Sequence, residues 1–410
     1  MQRERSAADE QVAGLLRTAR TRLGLSVAFL SRIDETTRTM EVVDSATPEV
    51  ADGYCGPRDS GLCQAIVDGR LPRVIPDARA MPVAAALQPA DLPEIHGYVG
   101  VPVVLSDGAV YGTFCVFGLA GDPDVSPRDL QLVEVLAEAA ALVIEPQVRV
   151  EQRAAEVADR LAPVLVAGGP DVVLQPIVDL RTGTRNGAEA LSRFPREWGL
   201  TPDVVFDQAH GIGQGDRLEL LAISRAAGLL DQVSGYVSIN ISPQTLLTPL
   251  AADMLGVLPL DRVVLELSEH DQVHDYAALR AALDPLRAAG MRLAIDDVGA
   301  GFSSLRHIIL TAPDMIKLDR SIVSGIDTDA VLTKLARSLV DFSHESGTRV
   351  IAEGVETAAE HAVLQQLGVD GGQGWFFGRP GPADALVDAG TVLAPPSPAV
   401  LPAAAASPVG

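Results

Sequence analysis

The pattern of apolar and polar residues changes along the chain and divides it into regions. In residues 8–125, short apolar runs typical of strands alternate with short helical patterns. In residues 126–164, apolar residues recur every three or four positions, which predicts helix. Residues 165–392 repeat a strand followed by a helix, and residues 393–410 are rich in proline and alanine. The pattern predicts two domains joined by a helical connector and followed by a disordered tail.

The first region has the pattern of an antiparallel sheet with helices on its faces. Residues 26–31 and 39–44 are typical of a pair of strands. Residues 98–105 and 110–117 flank Asp107-Gly108, a dipeptide that tolerates positive φ and therefore favours a hairpin turn. Together these elements predict an α+β domain over residues 8–125.

The connector has an apolar seam with heptad-like spacing. The spacing between apolar residues alternates between four and three, with one extra spacing of four between Val150 and Ala154. A two-stranded signalling helix has this pattern, so we expect a homodimer. Pro146 is expected to kink or break the helix. Two amphipathic helices, each packed on its own domain, are the alternative. The seam residues are Leu132, Leu136, Ala139, Val143, Pro146, Val150, Ala154, Val157, Leu161 and Val164.

The second region contains eight strand candidates, most of them separated by helical patterns. Eight strands and their helices in about 230 residues predict an α/β fold of the TIM-like (β/α)8 barrel type over residues 165–392. The candidates are residues 172–178, 187–191, 236–241, 263–268, 292–296, 315–318, 349–352 and 371–376.

Polar side chains stand where these strands end. Functional groups of such barrels lie at the carboxyl ends of the strands, so these residues are candidates for one site. Carboxylate and amide oxygens, without cysteine or clustered histidine, are ligands suited to magnesium or manganese. The pattern therefore predicts a two-metal centre. The candidates are Glu189, Asn240, Glu266, Asp296, Asp297, Lys317, Asp319, Glu353, Glu356 and Gln373.

The adjacent acids Asp296 and Asp297 lie between an apolar strand and a glycine-rich loop. Without a partner, two neighbouring carboxylates repel each other and the pKa of one rises, whereas divalent cations make the same crowding favourable. A solvated Asp-Asp turn, with Gly299 and Gly301 supplying backbone freedom, is the alternative for this segment alone.

Size and charge narrow the class of protein. A chain of 410 residues is too long for one ordinary core. No apolar run reaches the roughly 20 residues of a membrane helix, and no signal-peptide pattern begins the chain, so we expect a cytoplasmic protein without a membrane partner. The formal net charge of −22 disfavours polynucleotide as a partner.

The three cysteines all lie in the first region. Cys55, Cys63 and Cys115 show no CxxC spacing, and their odd number favours reduced thiols in the cytoplasm. Cys63 and Cys115 fall in apolar patterns, which favours buried structural thiols. A thiol-linked chromophore or a redox sensor remains the alternative.

The first region resembles a GAF domain, a small-molecule sensor module. The resemblance implies a sensor whose ligand is unknown, since the sequence lacks the residue set of cyclic-nucleotide-binding members. Cys63 is followed by Gln64 rather than the His of bilin-attaching relatives, and we interpret His96 as a loop or surface residue rather than a haem ligand. The motifs are Gly61-Leu-Cys-Gln-Ala-Ile66, Val74-Ile-Pro-Asp77, Gly100-Val-Pro102 and Asp107-Gly-Ala-Val-Tyr-Gly-Thr-Phe-Cys115.

The second region resembles the EAL family of cyclic di-GMP phosphodiesterases over residues 172–382. The resemblance implies a barrel whose first strand is antiparallel to the rest. Eight motifs occur in the family's order. They are Gln175-Pro-Ile-Val178, Glu189-Ala-Leu-Ser-Arg193, Asn240-Ile-Ser-Pro243, Glu266-Leu-Ser-Glu269, Asp296-Asp-Val-Gly299, Lys317-Leu-Asp319, Glu353-Gly-Val-Glu356 and Gln373-Gly-Trp375.

The same resemblance implies roles for single residues. Lys317 would orient the attacking water, and Glu353 is the candidate general base beside the catalytic Asp297. Glu269 would anchor the loop that follows the two aspartates. The ligands of the first metal ion would be Glu189, Asn240, Glu266 and Asp296. Those of the second would be Asp296, Asp297 and Glu353. The substrate contacts would be Gln175, Arg193 and Gln373.

The predicted activity is hydrolysis of cyclic di-GMP to linear pGpG with two Mg²⁺ or Mn²⁺ ions, regulated by the GAF domain. A catalytically inert cyclic di-GMP receptor is the alternative. None of the acids, the amide or the lysine of the motif set is missing, which favours an enzyme. The chain departs from the family pattern at two positions. It has Val298 where the family commonly has Phe, and Ala300 where the family often has Thr.

Overall fold

The computed structural model describes residues 5–88, 92–299 and 304–386, without the side chains of residues 304–307. The chain divides between Ala155 and Glu156 into a first unit and a second unit. The predicted tail, residues 393–410, and Ala300 lie outside the described residues.

The first unit contains a six-stranded antiparallel sheet in the order β3-β2-β1-β6-β5-β4. The Asp107-Gly108 turn joins β5 to β6, as the sequence predicts. The strands are β1 Val27–Ile33, β2 Thr37–Ser45, β3 Tyr54–Pro57, β4 Val74–Ile75, β5 Tyr98–Val104 and β6 Val110–Phe117. The helices are α1 Ala7–Leu23, α2 Leu62–Val67, α3 Pro82–Ala86 and α4 Asp129–Val166.

Both faces of this sheet are buried, because side chains of a strand alternate between its two faces. In β6, Phe114 and Val116 belong to the core that includes α1 and the first part of α4. Cys115 and Phe117, on the opposite face, belong to the core that includes α2. The sheet is therefore the middle layer of an α+β domain.

Helix α4 is continuous over 38 residues and is not broken at Pro146. Val133 and Ile144 of its first part pack in the core of the first unit. Leu161 and Val164, near its end, pack against α5 in the second unit. The helix thus packs on each unit with a different part of its length, as in the two-helix alternative, but without a break between the parts.

The second unit is a closed eight-stranded barrel surrounded by helices. No helix within the described ranges has both the length and the apolar character that a membrane span requires. The strands are β7 Asp171–Asp179, β8 Arg185–Arg193, β9 Tyr236–Asn240, β10 Val263–Ser268, β11 Arg292–Val298, β12 Met315–Leu318, β13 Arg349–Ala352 and β14 Gly371–Gly372. The helices are α5 Pro202–Gly211, α6 Gly215–Ala227, α7 Pro243–Leu246, α8 Pro249–Leu255, α9 Tyr276–Ala288, α10 Ser304–Thr311, α11 Arg320–Val323, α12 Ala330–Glu345 and α13 Ala358–Leu367.

The barrel has one reversed strand. β7 pairs antiparallel with both of its neighbours, β8 and β14. The remaining neighbours, from β8 through β14, pair in parallel. The predicted TIM-like barrel with an antiparallel first strand is therefore confirmed.

Alternation along the strands fills the barrel in layers. In β10, Val263 and Leu265 pack outward against the helices, whereas Val264 belongs to a cluster drawn from six strands inside the barrel. We call this cluster the apolar layer. Its members are Ile177, Tyr236, Val264, Ala294, Met315 and Ile351.

Glycine makes room for the largest side chain of the apolar layer. A Cβ on Gly187 would lie 2.5 Å from the Tyr236 ring, which is closer than real Cβ contacts come. Because β8 has no side chain at this position, the Tyr236 ring of β9 fills the space beside it. The layer above, towards the carboxyl ends of the parallel strands, is then free to be polar.

Candidate active site

The polar residues of the barrel lie two positions beyond the apolar layer, and therefore point inward as well. Glu266 follows Val264, and Lys317 follows Met315 by this spacing. We call the resulting set the polar layer, to which each of the eight strands, or the residue just after it, contributes. Its members are Gln175, Glu189, Ser238, Glu266, Asp296, Lys317, Glu353 and Gln373.

Lys317 is the centre of the polar layer. Its side chain is 2% exposed, and Nζ lies 2.6 Å from Glu353 Oε1, 3.0 Å from Glu266 Oε2, 3.2 Å from Asp296 Oδ2 and 3.4 Å from Glu189 Oε2. Four carboxylates from four strands or strand ends thus surround one ammonium group. One charge cannot neutralise four, so the buried site keeps an excess of negative charge.

Amide side chains hold the carboxylate of Glu189. Gln373 Nε2 lies 2.6 Å from Glu189 Oε2 and 2.9 Å from Gln175 Oε1, to both of which it donates. Asn240 Nδ2 donates to Glu189 Oε1 at 3.1 Å. Gln373 is buried, and its Oε1 has no hydrogen-bond partner among the described residues.

Glu266 is held by a residue that the sequence analysis does not single out. The Ser238 hydroxyl donates a hydrogen bond to Glu266 Oε1, and both side chains are buried. With Lys317 on the other carboxylate oxygen, the orientation of Glu266 is fixed from two sides. A serine within an apolar strand carries no motif, so only its inward position could have indicated this role.

The two aspartates of β11 are positioned by the backbone. Asp297 adopts a positive φ of 60°, and its N–H donates to Asp296 Oδ1 at 2.8 Å. Glu269 N donates to the Asp296 carbonyl at 3.1 Å. Gly299 N in turn donates to Glu269 Oε2 at 3.3 Å. Glu269 therefore contacts the segment on both sides of Asp297.

Burial and the excess of negative charge raise the pKa of several acids. Burial and the neighbouring carboxylates raise the pKa of Glu353 to about 8, although Lys317 opposes the shift. Burial and Asp296 raise the pKa of Asp297 to about 6, and burial raises that of Glu266 well above its usual range. Protons on such acids compensate charge that cations would otherwise compensate.

Two groups of acids have the geometry of cation sites. The first acid cluster is Glu189, Glu266 and Asp296, and the second acid cluster is Asp296, Asp297 and Glu353. In each cluster one oxygen of every residue lies within 4.8 Å of the others. Hard carboxylate oxygens in a negatively charged pocket fit divalent cations such as Mg²⁺ or Mn²⁺. Asp296 is common to both clusters.

Comparison with known families agrees with this arrangement. The family model of the EAL domain matches residues 159–380, which is more than half of the chain. The chain belongs to the EAL domain family. The family model of the GAF domain matches residues 7–145, ahead of the EAL barrel. The predicted fold class, a TIM-like barrel preceded by an α+β GAF domain, is confirmed.

Several known proteins resemble about half of this chain. The chain is 32% identical over 239 residues to an uncharacterized protein of Azorhizobium caulinodans, covering 54% of this chain and 32% of that protein. It is 30% identical over 218 residues to the probable cyclic di-GMP phosphodiesterase PdeB of Escherichia coli K12, covering 50% and 41%. The PaMucR phosphodiesterase in complex with c-di-GMP matches at a TM-score of 0.51 and 25% identity, covering 57% and 100%. The chain spans less than half the length of these two curated relatives.

The EAL barrel brings most of the predicted site residues together, but it separates the substrate contacts. Gln175 and Gln373 line a cavity of about 310 Å³ with Glu189, Asp296 and Glu353. Arg193 instead lines a neighbouring cavity of about 390 Å³, together with Asn240 and Glu266. Its Nη1 donates to the Ser192 carbonyl at 2.8 Å. Asp319 caps α11 by accepting from Ser321 N.

Aromatic and basic groups lie at the rim of the smaller cavity, and the sequence analysis gives none of them a role, although it includes Trp375 in a motif. Trp375 is 51% exposed and lines this cavity with Arg320. The Arg379 guanidinium lies 4.3 Å from the centre of the Trp375 ring, and Arg320 forms an ion pair with Glu356 at 2.8 Å. Arg320 directly follows the Lys317-Leu-Asp319 motif, so extending the motif by one residue would have included it.

Proposed function

We propose that the EAL barrel hydrolyses cyclic di-GMP to linear pGpG in a reaction that depends on divalent metal ions. The observation that carries the proposal is the pair of acid clusters that share Asp296 and surround Lys317. Membership of the EAL domain family and the similarity to PdeB and PaMucR support cyclic di-GMP as the substrate. The chemistry of the rim also fits, since guanine stacks on aromatic rings and phosphate pairs with arginine.

The residues that hold the ions follow from the two acid clusters. Two Mg²⁺ or Mn²⁺ ions, when bound, supply activation of a water molecule and charge compensation for the phosphate. Asp296 would be a ligand of both ions. The remaining ligands of the first ion would be Glu189, Asn240 and Glu266. Those of the second would be Asp297 and Glu353.

The other residues act on the water and the substrate. Glu353 would accept the proton of the attacking water as the general base. Lys317 Nζ orients the water by hydrogen bonds and offsets negative charge that develops on the phosphate. Gln175, Gln373 and, from the adjoining cavity, Arg193 bind the substrate. One phosphodiester bond breaks, and the cyclic molecule opens.

A receptor that binds cyclic di-GMP without cleaving it is the second candidate. Such a protein needs the rim and the substrate contacts but not the ion ligands. In this chain the acids, the amide and the lysine of the polar layer are all retained and are held by specific hydrogen bonds, such as that from Ser238 to Glu266. Retention of this costly buried charge favours the enzyme.

The experiment is chromatography of cyclic di-GMP incubated with the purified protein and Mg²⁺ or Mn²⁺. We expect linear pGpG with the wild type and none after the metal is removed with a chelator. Asp296→Asn should reduce the rate at least tenfold, a loss of about 1.4 kcal/mol or more of transition-state stabilisation. Asp341→Asn makes the same change at an exposed acid of α12 and should leave the rate unchanged.

The outcome that separates the two candidates is binding without turnover. If the wild type binds cyclic di-GMP but yields no pGpG with either metal, the chain is a receptor. If Asp296→Asn retains more than a tenth of the wild-type rate, Asp296 is not shared by the ions.

We further propose that the GAF domain, residues 8–125, binds a small molecule and regulates the EAL barrel, residues 165–392, through the connector. The apolar seam of the connector is partly used within the chain, because Leu136 and Leu161 pack in the two cores. Val135, Leu142 and Val150 of α4 are exposed. We propose that exposed apolar residues of this helix take part in a homodimer, which mass measurement in solution tests directly.

A further inference from the structure

Two thiols face each other inside the first unit. Cys63 of α2 and Cys115 of β6 are at most 1% exposed, and their Sγ atoms lie 4.0 Å apart. The Tyr98 hydroxyl lies 3.3 Å from Cys63 Sγ, and Cys115 Sγ lies 3.1 Å from Thr113 Oγ1. Cys55, the third cysteine, is exposed and free.

A buried arginine accompanies this pair. The Arg38 side chain is 3% exposed, and its Nη1 donates to Cys63 Sγ at 3.3 Å. Within the described part of the chain it forms no ion pair with a carboxylate, and its Nε has no hydrogen-bond partner. Gly61 leaves room for the guanidinium, since a Cβ there would lie 3.2 Å from Nη1.

This arrangement requires a negative charge on sulfur. A guanidinium is always protonated in proteins, and a buried charge is stable only when it is paired. The acidic group that Arg38 contacts is Cys63, so a Cys63 thiolate supplies the counter-charge. Hydrogen bonding from Cys115 and the charge of Arg38 accordingly hold the pKa of Cys63 well below its usual range. Burial and Cys63 raise the pKa of Cys115, which remains a thiol.

We propose that Cys63 and Cys115 form a redox-active dithiol that a peroxide oxidises to a disulfide. The thiolate, rather than the thiol, is the nucleophile in such reactions, and the structure assigns it to Cys63. Cys115 is the resolving thiol. The proposal goes beyond the cleavage of cyclic di-GMP and does not depend on it.

The chemistry balances with hydrogen peroxide as the oxidant. Cys63 Sγ attacks one peroxide oxygen, the O–O bond breaks, hydroxide leaves, and Cys63 becomes a sulfenic acid. Cys115 Sγ then attacks the Cys63 sulfur. The S–O bond breaks, the S–S bond forms, and the hydroxyl leaves as water with the Cys115 proton. The two thiols lose two electrons, and the peroxide gains them.

Disulfide formation requires the two sulfurs to approach each other. The separation must shrink from 4.0 Å to the roughly 2.0 Å of a disulfide. Gly100, which pairs with Cys115 in the sheet, has no side chain, and the Ile66 side chain and the Tyr98 ring fill the space beside it. Because both thiols are buried, the site favours a small oxidant over a bulky disulfide such as oxidised glutathione.

The test counts and maps thiols in the full-length reduced protein before and after hydrogen peroxide. Alkylation and mass spectrometry should show a fall from three free thiols to one, with Cys55 remaining. A proteolytic digest without reductant should contain a Cys63–Cys115 cross-linked peptide, which dithiothreitol releases. Oxidised glutathione should produce this cross-link at least tenfold more slowly.

Variants assign the two roles. Cys115→Ser should stop at the sulfenic acid, so that dimedone labels Cys63, whereas Cys63→Ser should leave Cys115 unlabelled. Cys55→Ser is the matched control and should oxidise like the wild type. Arg38→Met should slow oxidation at least tenfold. If Arg38→Met does not fold, the thiolate absorbance near 240 nm tests the charge on Cys63 instead. This absorbance should be present in the wild type and lost in Cys63→Ser.

The proposal fails if folded wild-type protein, verified by circular dichroism, loses only the Cys55 thiol to peroxide. It also fails if dimedone labels Cys115 instead of Cys63, or if the thiolate absorbance is the same in wild type and Cys63→Ser.

Discussion

At the scale of single residues, the Glu269 side chain contacts the segment of residues 296–299 that carries the two aspartates, which we call the ligand loop. This side chain is 1% exposed, and its Oε2 accepts a hydrogen bond from Gly299 N, two residues after Asp297. It belongs to neither acid cluster, so its removal leaves the cation ligands in place. What changes is the precision with which the two aspartates are held.

We therefore predict that Glu269→Ala raises the Mg²⁺ concentration for half-maximal activity at least tenfold. The melting temperature of the metal-free variant should stay near that of the wild type, because the removed carboxylate lies at the ligand loop rather than in an apolar core. A titration of turnover with Mg²⁺ measures the effect. Glu345→Ala, at an exposed position of α12, is the control. Superimposable titration curves for Glu269→Ala and wild type would show that the loop does not need this residue.

Protonation of the acids predicts how cation binding depends on pH. In the metal-free protein Glu353, with a pKa of about 8, is mostly protonated at pH 7. A cation favours the carboxylate, so binding releases a proton, and the apparent Mg²⁺ affinity should rise between pH 6 and pH 8.

The folding stability of the metal-free protein should depend on pH with the opposite sign. The raised pKa favours the metal-free folded state below the unfolded pKa, and this contribution is lost as the pH rises towards 8.

Calorimetry of Mg²⁺ binding at pH 7 in two buffers of different ionisation enthalpy measures the released protons. Glu353→Gln should release fewer protons than the wild type. Glu356→Gln, a nearby rim acid outside both acid clusters, should release as many as the wild type. Equal heats in the two buffers for the wild type would contradict the prediction.

Much of the polar layer is predictable from sequence, and the reason is geometric. Glu266 and Asp296 lie towards the carboxyl ends of apolar strands, and Glu353 directly follows one, so their place at one end of a barrel follows once eight strands are recognised. Ser238 could not be predicted, because a serine inside a strand becomes informative only when its facing is known. The pairing of Arg38 with Cys63 is still harder to predict from the sequence, because the two residues are far apart along the chain.

At the scale of elements, α4 shows that a periodic apolar pattern predicts a helix but not what its apolar face packs against. The apolar seam predicts a helix, which is present, but the same residues can face a second chain or the domain beside them. In the structure Leu161 is 1% exposed and packs against α5. The end of this helix is therefore part of the core of the second unit.

Leu161→Ala should destabilise the second unit by about 2–5 kcal/mol, the usual range for a leucine removed from a core. Val166→Ala in the same helix should change stability little, because Val166 is 87% exposed. Denaturant unfolding followed by a probe in the barrel, such as the fluorescence of its tryptophans, compares the two variants. A similar small effect of both changes would mean that the helix end is not packed as described.

At the scale of the whole molecule, we expect cation binding and folding of the EAL barrel to be linked. A ligand that binds only the folded state stabilises it by about 2.7 kcal/mol when its concentration is 100 times the Kd. Both acid clusters lie in the second unit, so Mg²⁺ should raise the melting temperature of the barrel and leave that of the GAF domain unchanged.

Scanning calorimetry with and without a chelator measures this shift. Asp296→Asn should lose most of it, because this residue belongs to both acid clusters. The same shift in the GAF transition, or none in either, would contradict the linkage.

The polar layer also has a consequence for the order in which the molecule is made. It draws one side chain from each of the eight strands or from the residue just after it, beginning with Gln175 and ending with Gln373. A nascent chain that has left the ribosome only as far as β12 has Lys317 but lacks Glu353 and therefore the second acid cluster. The complete site of the proposed reaction should then form only after β14 has been synthesised and joins the ring.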